Sequence, residues 1–144
     1  MASRDLHNNI HPVPAIVPVA ARTDNTAIVS AIVDTAGYES VEFVLVTGTN
    51  TDANATFSVL FEDGDDAALA DNAAVDDTYL LGTEADAAFT FGDDNKCRKI
   101  GYVGSKRYCR VTVTPSGNDS GNIFLAAVWL LGHPRHAPTT NPPT

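Results

Sequence analysis

The feature that most constrains this chain is a series of short apolar segments, each bounded by Gly, Pro, Asn, Asp or Ser, with no sustained return of apolar residues every three or four positions. Thr26 to Asp34, Ser40 to Thr47, Asn54 to Glu62, Thr78 to Leu81, Ala87 to Phe91, Arg98 to Val103, Arg107 to Thr114 and Asn122 to Leu131 read as strands. About eight strands at roughly 8–12-residue spacing mark an all-β sandwich or barrel. The expected fold is therefore all-β: a single-domain antiparallel β-sandwich, jelly-roll-like or Ig-like. At 144 residues with 44% hydrophobic content, the chain can bury one core without external staples.

Alternation within the segments differs. Asn54 to Glu62 places Ala55, Phe57, Val59 and Phe61 on one side and Thr56, Ser58, Leu60 and Glu62 on the other, as in a half-buried strand. Ser40 to Thr47 puts Val41, Phe43 and Leu45 on one face, with Glu42, Val44 and Val46 on the other. Thr47 to Asp52 has the Gly and Asn of a hairpin or short cross-connection. Ala67 to Val75 is Ala-rich and predicts one or two helical turns.

The ends have a different character. Pro12, Pro14 and Pro18 remove backbone donors, so residues 1–24 are expected to form an extended arm. Residues 25–132 make the sandwich, and residues 133–144, with Pro134, Pro138, Pro142 and Pro143, a loose tail. The longest apolar stretch, Ile123 to Leu131, is too short to span a bilayer as a helix. The start lacks the apolar segment of a signal peptide, so a soluble protein made in a cytoplasm is expected.

A net charge of −9 repels phosphates and anionic membranes, which disfavours nucleic acid and membrane partners. The charge is segregated: Glu62 to Asp94 holds eleven of the 18 acids and neither Lys nor Arg, whereas Lys96 to Arg110 holds six of the nine bases. Lys106, Arg107 and Arg110, beside Tyr102 and Tyr108, suit an anionic partner. In an acidic chain that partner is protein carboxylate, from its own acidic segment or from a neighbouring surface.

Catalytic chemistry finds little support. If Gly104-Ser105 is a two-residue hairpin loop, Cys109 faces the side of Ile100 and Cys97 the opposite side, so both cysteines should be free thiols. His7, His11, His133 and His136 lie in Pro-rich ends with no carboxylate or thiol pattern to complete a zinc site, and are expected to be solvated. Asp63-Gly64-Asp65-Asp66 fails calcium-loop spacing and reads as a solvated acidic turn. Gly101 to Lys106 has two residues, not four, between its glycines, so it is no phosphate loop. Phe43, Phe57, Phe61, Phe89, Phe91, Phe124 and Trp129 fall mostly in strands, as core residues do. Neither an enzyme nor a cofactor is expected; arms, a compact body and opposed charge patches suit an assembly subunit.

Four stretches carry a family likeness: Asp5-Leu6-His7-Asn8-Asn9-Ile10; Asp34-Thr35-Ala36-Gly37-Tyr38-Glu39-Ser40-Val41-Glu42-Phe43; Gly101-Tyr102 through Lys106-Arg107-Tyr108; and Leu131-Gly132-His133-Pro134-Arg135-His136-Ala137-Pro138. In these the chain resembles small structural proteins of tailed bacteriophages and prophages, a group similar to head decoration or cement proteins. The resemblance implies a virion role on the capsid surface, with the major capsid protein and neighbouring copies as partners, in a dimer or trimer. Contacts are expected from Leu6, Ile10, Val13, Ile16 and Val19 of the arm and from Lys106, Arg107 and Arg110. Removal of residues 1–20 is expected to leave the sandwich folded and weaken particle binding. Alternatives are a carbohydrate- or receptor-binding module of a head fibre or tail tip, with exposed aromatics in one groove, and a tail or neck component.

Overall fold

The structure, a computed structural model, describes residues 4–143. Two antiparallel sheets pack face to face as a β-sandwich. One sheet has five strands in the order β1 (Ile10–Ile16), β11 (Ile123–Pro134), β4 (Tyr38–Asn50), β9 (Cys97–Tyr102) and β7 (Leu80–Leu81). The other runs β2 (Ile28–Val29), β10 (Tyr108–Ser116), β5 (Thr56–Gly64) and β6 (Ala73–Ala74), with β3 (Val33–Asp34) also on β10 and β8 (Phe89–Thr90) also on β5.

Alternation sets what lies between the sheets. From the five-stranded side come Val41, Phe43, Leu45, Ile100, Tyr102, Leu125, Trp129 and Leu131; from the other, Phe57, Val59, Phe61, Cys109, Val111 and Val113. Trp129 packs edge-on against Phe43 at 5.1 Å and Phe61 at 5.7 Å, and its indole N–H donates to the Ala31 carbonyl at 3.0 Å. Phe61 stacks on Tyr102, and Phe57 on Phe89. The aromatic expectation holds for these, while Phe91 and Phe124 are exposed.

Several connections differ from the sequence reading. Residues 103–107 are not a hairpin loop: β9 and β10 belong to different sheets. The Tyr102 hydroxyl donates to Asp63 Oδ2 at 2.6 Å and accepts from the Lys106 N–H at 3.0 Å, so the chain wraps that ring as it crosses. Ala67 to Val75 forms turns and the short β6 rather than helix: Leu69 takes a positive φ that breaks a right-handed helix, and the Asp71 carboxylate folds back to accept the N–H groups of Asp65 and Asp66. The one α-helix among the described residues is α1 (Glu84–Ala87), capped by the Thr83 hydroxyl. Thr26 to Asp34 splits into β2 and β3 around Ser30, whose hydroxyl accepts the Val111 N–H.

The expected arm and tail are corrected as well. Residues 1–3 and 144, which belong to them, lie outside the described residues. Ile10–Ile16 is an edge strand on β11, with Ala15 and Ile16 in the core and Val13 packed against it. Pro12 and Pro14 share one parity, so both missing N–H groups fall on one side of the strand, and the ladder with β11 requires this to be the open side. In the tail, the Thr139 hydroxyl donates to the Ile10 carbonyl and the Thr139 N–H to that of Asn8.

One inter-sheet connection is tied by a carboxylate. Asp52, 3% exposed, accepts the N–H groups of Asn54, Asp119 and Ser120 and the Ser120 hydroxyl, joining the β4–β5 crossing to the β10–β11 turn. Gly121 lies directly against the Thr51–Asp52 backbone, where a Cβ has no room.

Two outcomes follow. Deleting residues 1–20 strips β11 of its edge partner and removes the buried Ile16 and Ala15, so the truncated protein should lose about 3 kcal/mol or more in chemical denaturation instead of remaining as stable as the full chain. For acid, backbone N–H donors hold the carboxyls of Asp52, Asp71, Asp76 and Asp93 below their ordinary 3.8, and the Arg107 guanidinium does the same for Asp34. The unfolded chain therefore takes up protons first as pH falls. Stability should be level from neutral pH to about 5 and decline below about pH 4, read from denaturant midpoints along a pH series.

Candidate assembly surface

The outer faces of the two sheets differ in chemistry. On the six-stranded sheet, the outward pairs are Arg110 with Glu62, Thr112 with Leu60, Thr114 with Ser58 and Ser116 with Thr56, a mostly polar surface. On the five-stranded sheet, the outward β11–β4 pairs are Val128 with Val44, Ala126 with Val46 and Leu130 with Glu42. Pro12 and Pro14 of β1 lie opposite Leu130 and Val128; Cys97, Lys99 and Gly101 of β9 lie opposite Val46, Val44 and Glu42, and Leu81 of β7 opposite Gly101.

This face is apolar and open. Phe124 is 52% exposed, Val46 45%, Val128 38% and Leu81 56%. Its two longest strands, β4 and β11, carry apolar residues at both parities, the pattern of a sheet covered on both sides. An antiparallel sheet with one solvated face alternates apolar-in and polar-out, as β5 and β10 do. Apolar side chains gathered on neighbouring strands make this face the candidate surface for assembly.

Grooves border the face. One of about 510 Å³ lies where Leu6 and Ile10 meet Leu130, Gly132 and Glu42; another of about 210 Å³ lies between Pro18, Val46 and Phe124. Glu42 and Lys99 are the charged residues among the outward positions of β4 and β9. The Glu42 carboxylate lies over Gly101, where a Cβ would stand 2.6 Å from Oε2. Burial pushes the Glu42 carboxyl above the ordinary glutamate value, with the Lys99 charge acting the other way. Among the described residues, Glu42 has no ion-pair partner within 4.0 Å.

The residues expected to make contacts are distributed otherwise. Leu6 and Val19 are exposed, whereas Ile16 is in the core, Val13 is packed against it and Ile10 is half-buried at the groove. The three basic residues are occupied within the chain: Lys106 pairs with Asp65, Arg107 with Asp34 through two hydrogen bonds, and Arg110 with Glu62. Glu62 also accepts from Thr112 and Asn72, so this pair is part of a half-buried network. The basic cluster thus meets its own acids, two of them in the acidic segment.

The remaining candidates separate too. His11 is buried and stacked on Tyr38, His133 Nδ1 lies 2.5 Å from Ser40 Oγ, and His7 lies beside Asn141. Among the described residues no group of three or more His, Cys, Asp or Glu side chains is placed to hold a metal. Trp129 and Tyr102 are core residues, so neither belongs to an exposed aromatic groove of the kind expected of a carbohydrate-binding module. No helix among the described residues is long and apolar enough to cross a membrane.

The outward residues Val44, Val46, Ala126, Val128 and Leu130 are not among the contact residues expected from the sequence. Their signal was present in the two apolar parities of Ser40 to Thr47 and in the unbroken apolar run Ile123 to Leu131.

No family model and no curated protein matches this chain. Solved structures are similar at low identity. Dimeric latent PorU from Porphyromonas gingivalis matches with 7% identity and a TM-score of 0.39 over 86% of this chain and 13% of that one. The CBM22-1–GH10 modules of the Clostridium thermocellum endo-1,4-β-D-xylanase 10B, complexed with xylohexaose, match with 8% identity and a TM-score of 0.40 over 94% and 28%. A family two carbohydrate esterase from Cellvibrio japonicus matches with 12% identity and a TM-score of 0.30 over 91% and 36%. The chain thus spans little more than a third of the longest-covered of these proteins.

Both cysteines are free, as expected, although the hairpin register used to reach that expectation does not exist. Cys97 is exposed at the face; Cys109 is buried, and burial with the nearby Asp63 charge pushes its thiol up to about 12. Alkylation followed by mass spectrometry should label Cys97 first, with Cys109 labelling only at the rate of global unfolding.

Proposed function

We propose that this chain is a non-enzymatic structural subunit of a tailed-phage virion, a head decoration or cement protein that adds a rigid β-sandwich to the capsid. The observation that carries the assembly role is the apolar outer face of the five-stranded sheet, which a domain working alone in water has no reason to keep. The likeness of the four sequence stretches to phage structural proteins supplies the kind of particle. The virion surface is its location, and the major capsid protein and other copies of this chain are its partners.

The mechanism is mechanical. A shell filled with DNA pushes outward, and a subunit bridging neighbouring capsid proteins raises the cost of separating them. Contacts made by one rigid body act at high effective concentration, so several weak ones hold together. Leu6 and Val19, exposed on either side of β1, extend the contact beyond the sheet.

Electron microscopy of particles with and without the protein tests this, using Val128→Asp as the control surface change. Density spread over the head lattice, lost or much reduced with Val128→Asp, is the expected result. Density at one vertex or along the tail, or undiminished incorporation of the variant, would overturn the reading.

A further inference from the structure

We infer that the apolar face of the five-stranded sheet is covered by the same face of a second copy of this chain, so that the working unit is a two-fold dimer in which Glu42 of each copy meets Lys99 of the other. This deepens the assembly reading above and rests on it only for the claim that the face is covered.

Area is the first argument. Five strands about 4.8 Å apart, with outward side chains along roughly 25–30 Å of β4 and β11, give about 600 Å² on each copy. Two such faces bury about 1,200 Å², the lower end of the range for specific, stable interfaces.

Charge is the second. The whole chain carries −9, which drives copies apart. On β4 and β9 the face carries one acid, Glu42, and one base, Lys99, and so is neutral there. Glu42 lies opposite Gly101 and Lys99 opposite Val44, hence on neighbouring strands two residues apart, about 8 Å from each other. A two-fold axis in the plane of contact, bisecting the line between them, brings each acid onto the partner's base and each base onto the partner's acid. Since β4 is the middle strand of the sheet, that axis passes near the centre of the apolar patch.

Edges supply the third. β1 is blocked on its open side by Pro12 and Pro14, and β7 has only two residues, so strand addition at either edge of this sheet is disfavoured and the face remains the route for association. An acid and a base on an otherwise apolar face also fix register, because any sliding leaves a half-buried carboxylate without its cation.

The test is sedimentation of the full chain from about 1 to 100 μM, with circular dichroism to confirm folding. The wild type should sediment at twice its 15.2 kDa chain mass. Glu42→Lys and Lys99→Glu should each weaken dimerisation at least tenfold, and the double variant should recover it. Val128→Asp should be a folded monomer throughout. Alkylation of Cys97 gives an independent readout, since it should slow as the dimer forms. A wild type that stays monomeric at 100 μM, or forms a trimer, overturns the inference, as does a double variant no better than the single ones. A monomer whose Val128→Asp form fails to join particles would overturn the dimer and leave the virion role standing. A dimer that never joins particles would do the reverse.

Discussion

Trp129 lies between Phe43 of its own sheet and Phe61 of the opposite one, and the sandwich depends on that contact. Its indole N–H donates to the Ala31 carbonyl in the segment between β2 and β3, so the ring fills the space between the layers while its one polar group is satisfied. Once Trp129 points inward, alternation fixes the direction of every other residue of β11, sending Val128 and Leu130 outward. The interior contact thereby determines what the exterior presents.

That exterior is divided. One sheet shows Ser, Thr and a bound Arg–Glu pair to water, and the other shows aliphatic side chains with one acid, Glu42, and one base, Lys99, at the outward positions of β4 and β9. The acidic surplus of the chain is spent largely on local order: Asp71 and Asp76 hold turn N–H groups, and Asp52 ties two crossings together. With charges committed in this way, burial of apolar area is left as the driving force for association, and the few charges on the face supply alignment.

Much of the architecture was legible in the chain because period-two alternation leaves no competing reading. The strands around Phe57 and Val111 lie where apolar residues alternate, and those around Phe43 and Trp129 where short apolar runs stand between turn residues. Connectivity was not legible, since Gly104-Ser105 has the composition of a hairpin loop whether the chain stays in one sheet or crosses to the other. What decides is Tyr102, whose hydroxyl finds Asp63 across the core, a contact no local window contains. Pro12 and Pro14 misled in the same way: they exclude a central strand but permit an edge one, and only pairing with β11 shows which applies. Of the surface, the doubled apolar parity of β4 was visible in the letters, yet its meaning emerged only when five strands placed those residues side by side.

The pairing of Ile10–Ile16 with Ile123–Pro134 has a consequence for biosynthesis. A ribosome makes the first of these strands long before the second, and at roughly 5–20 residues per second the delay is on the order of ten seconds. During that wait the nascent segment has no native partner. Its two prolines deny it a full donor row, which discourages mispairing with other emerging chains until β11 arrives to close the sheet.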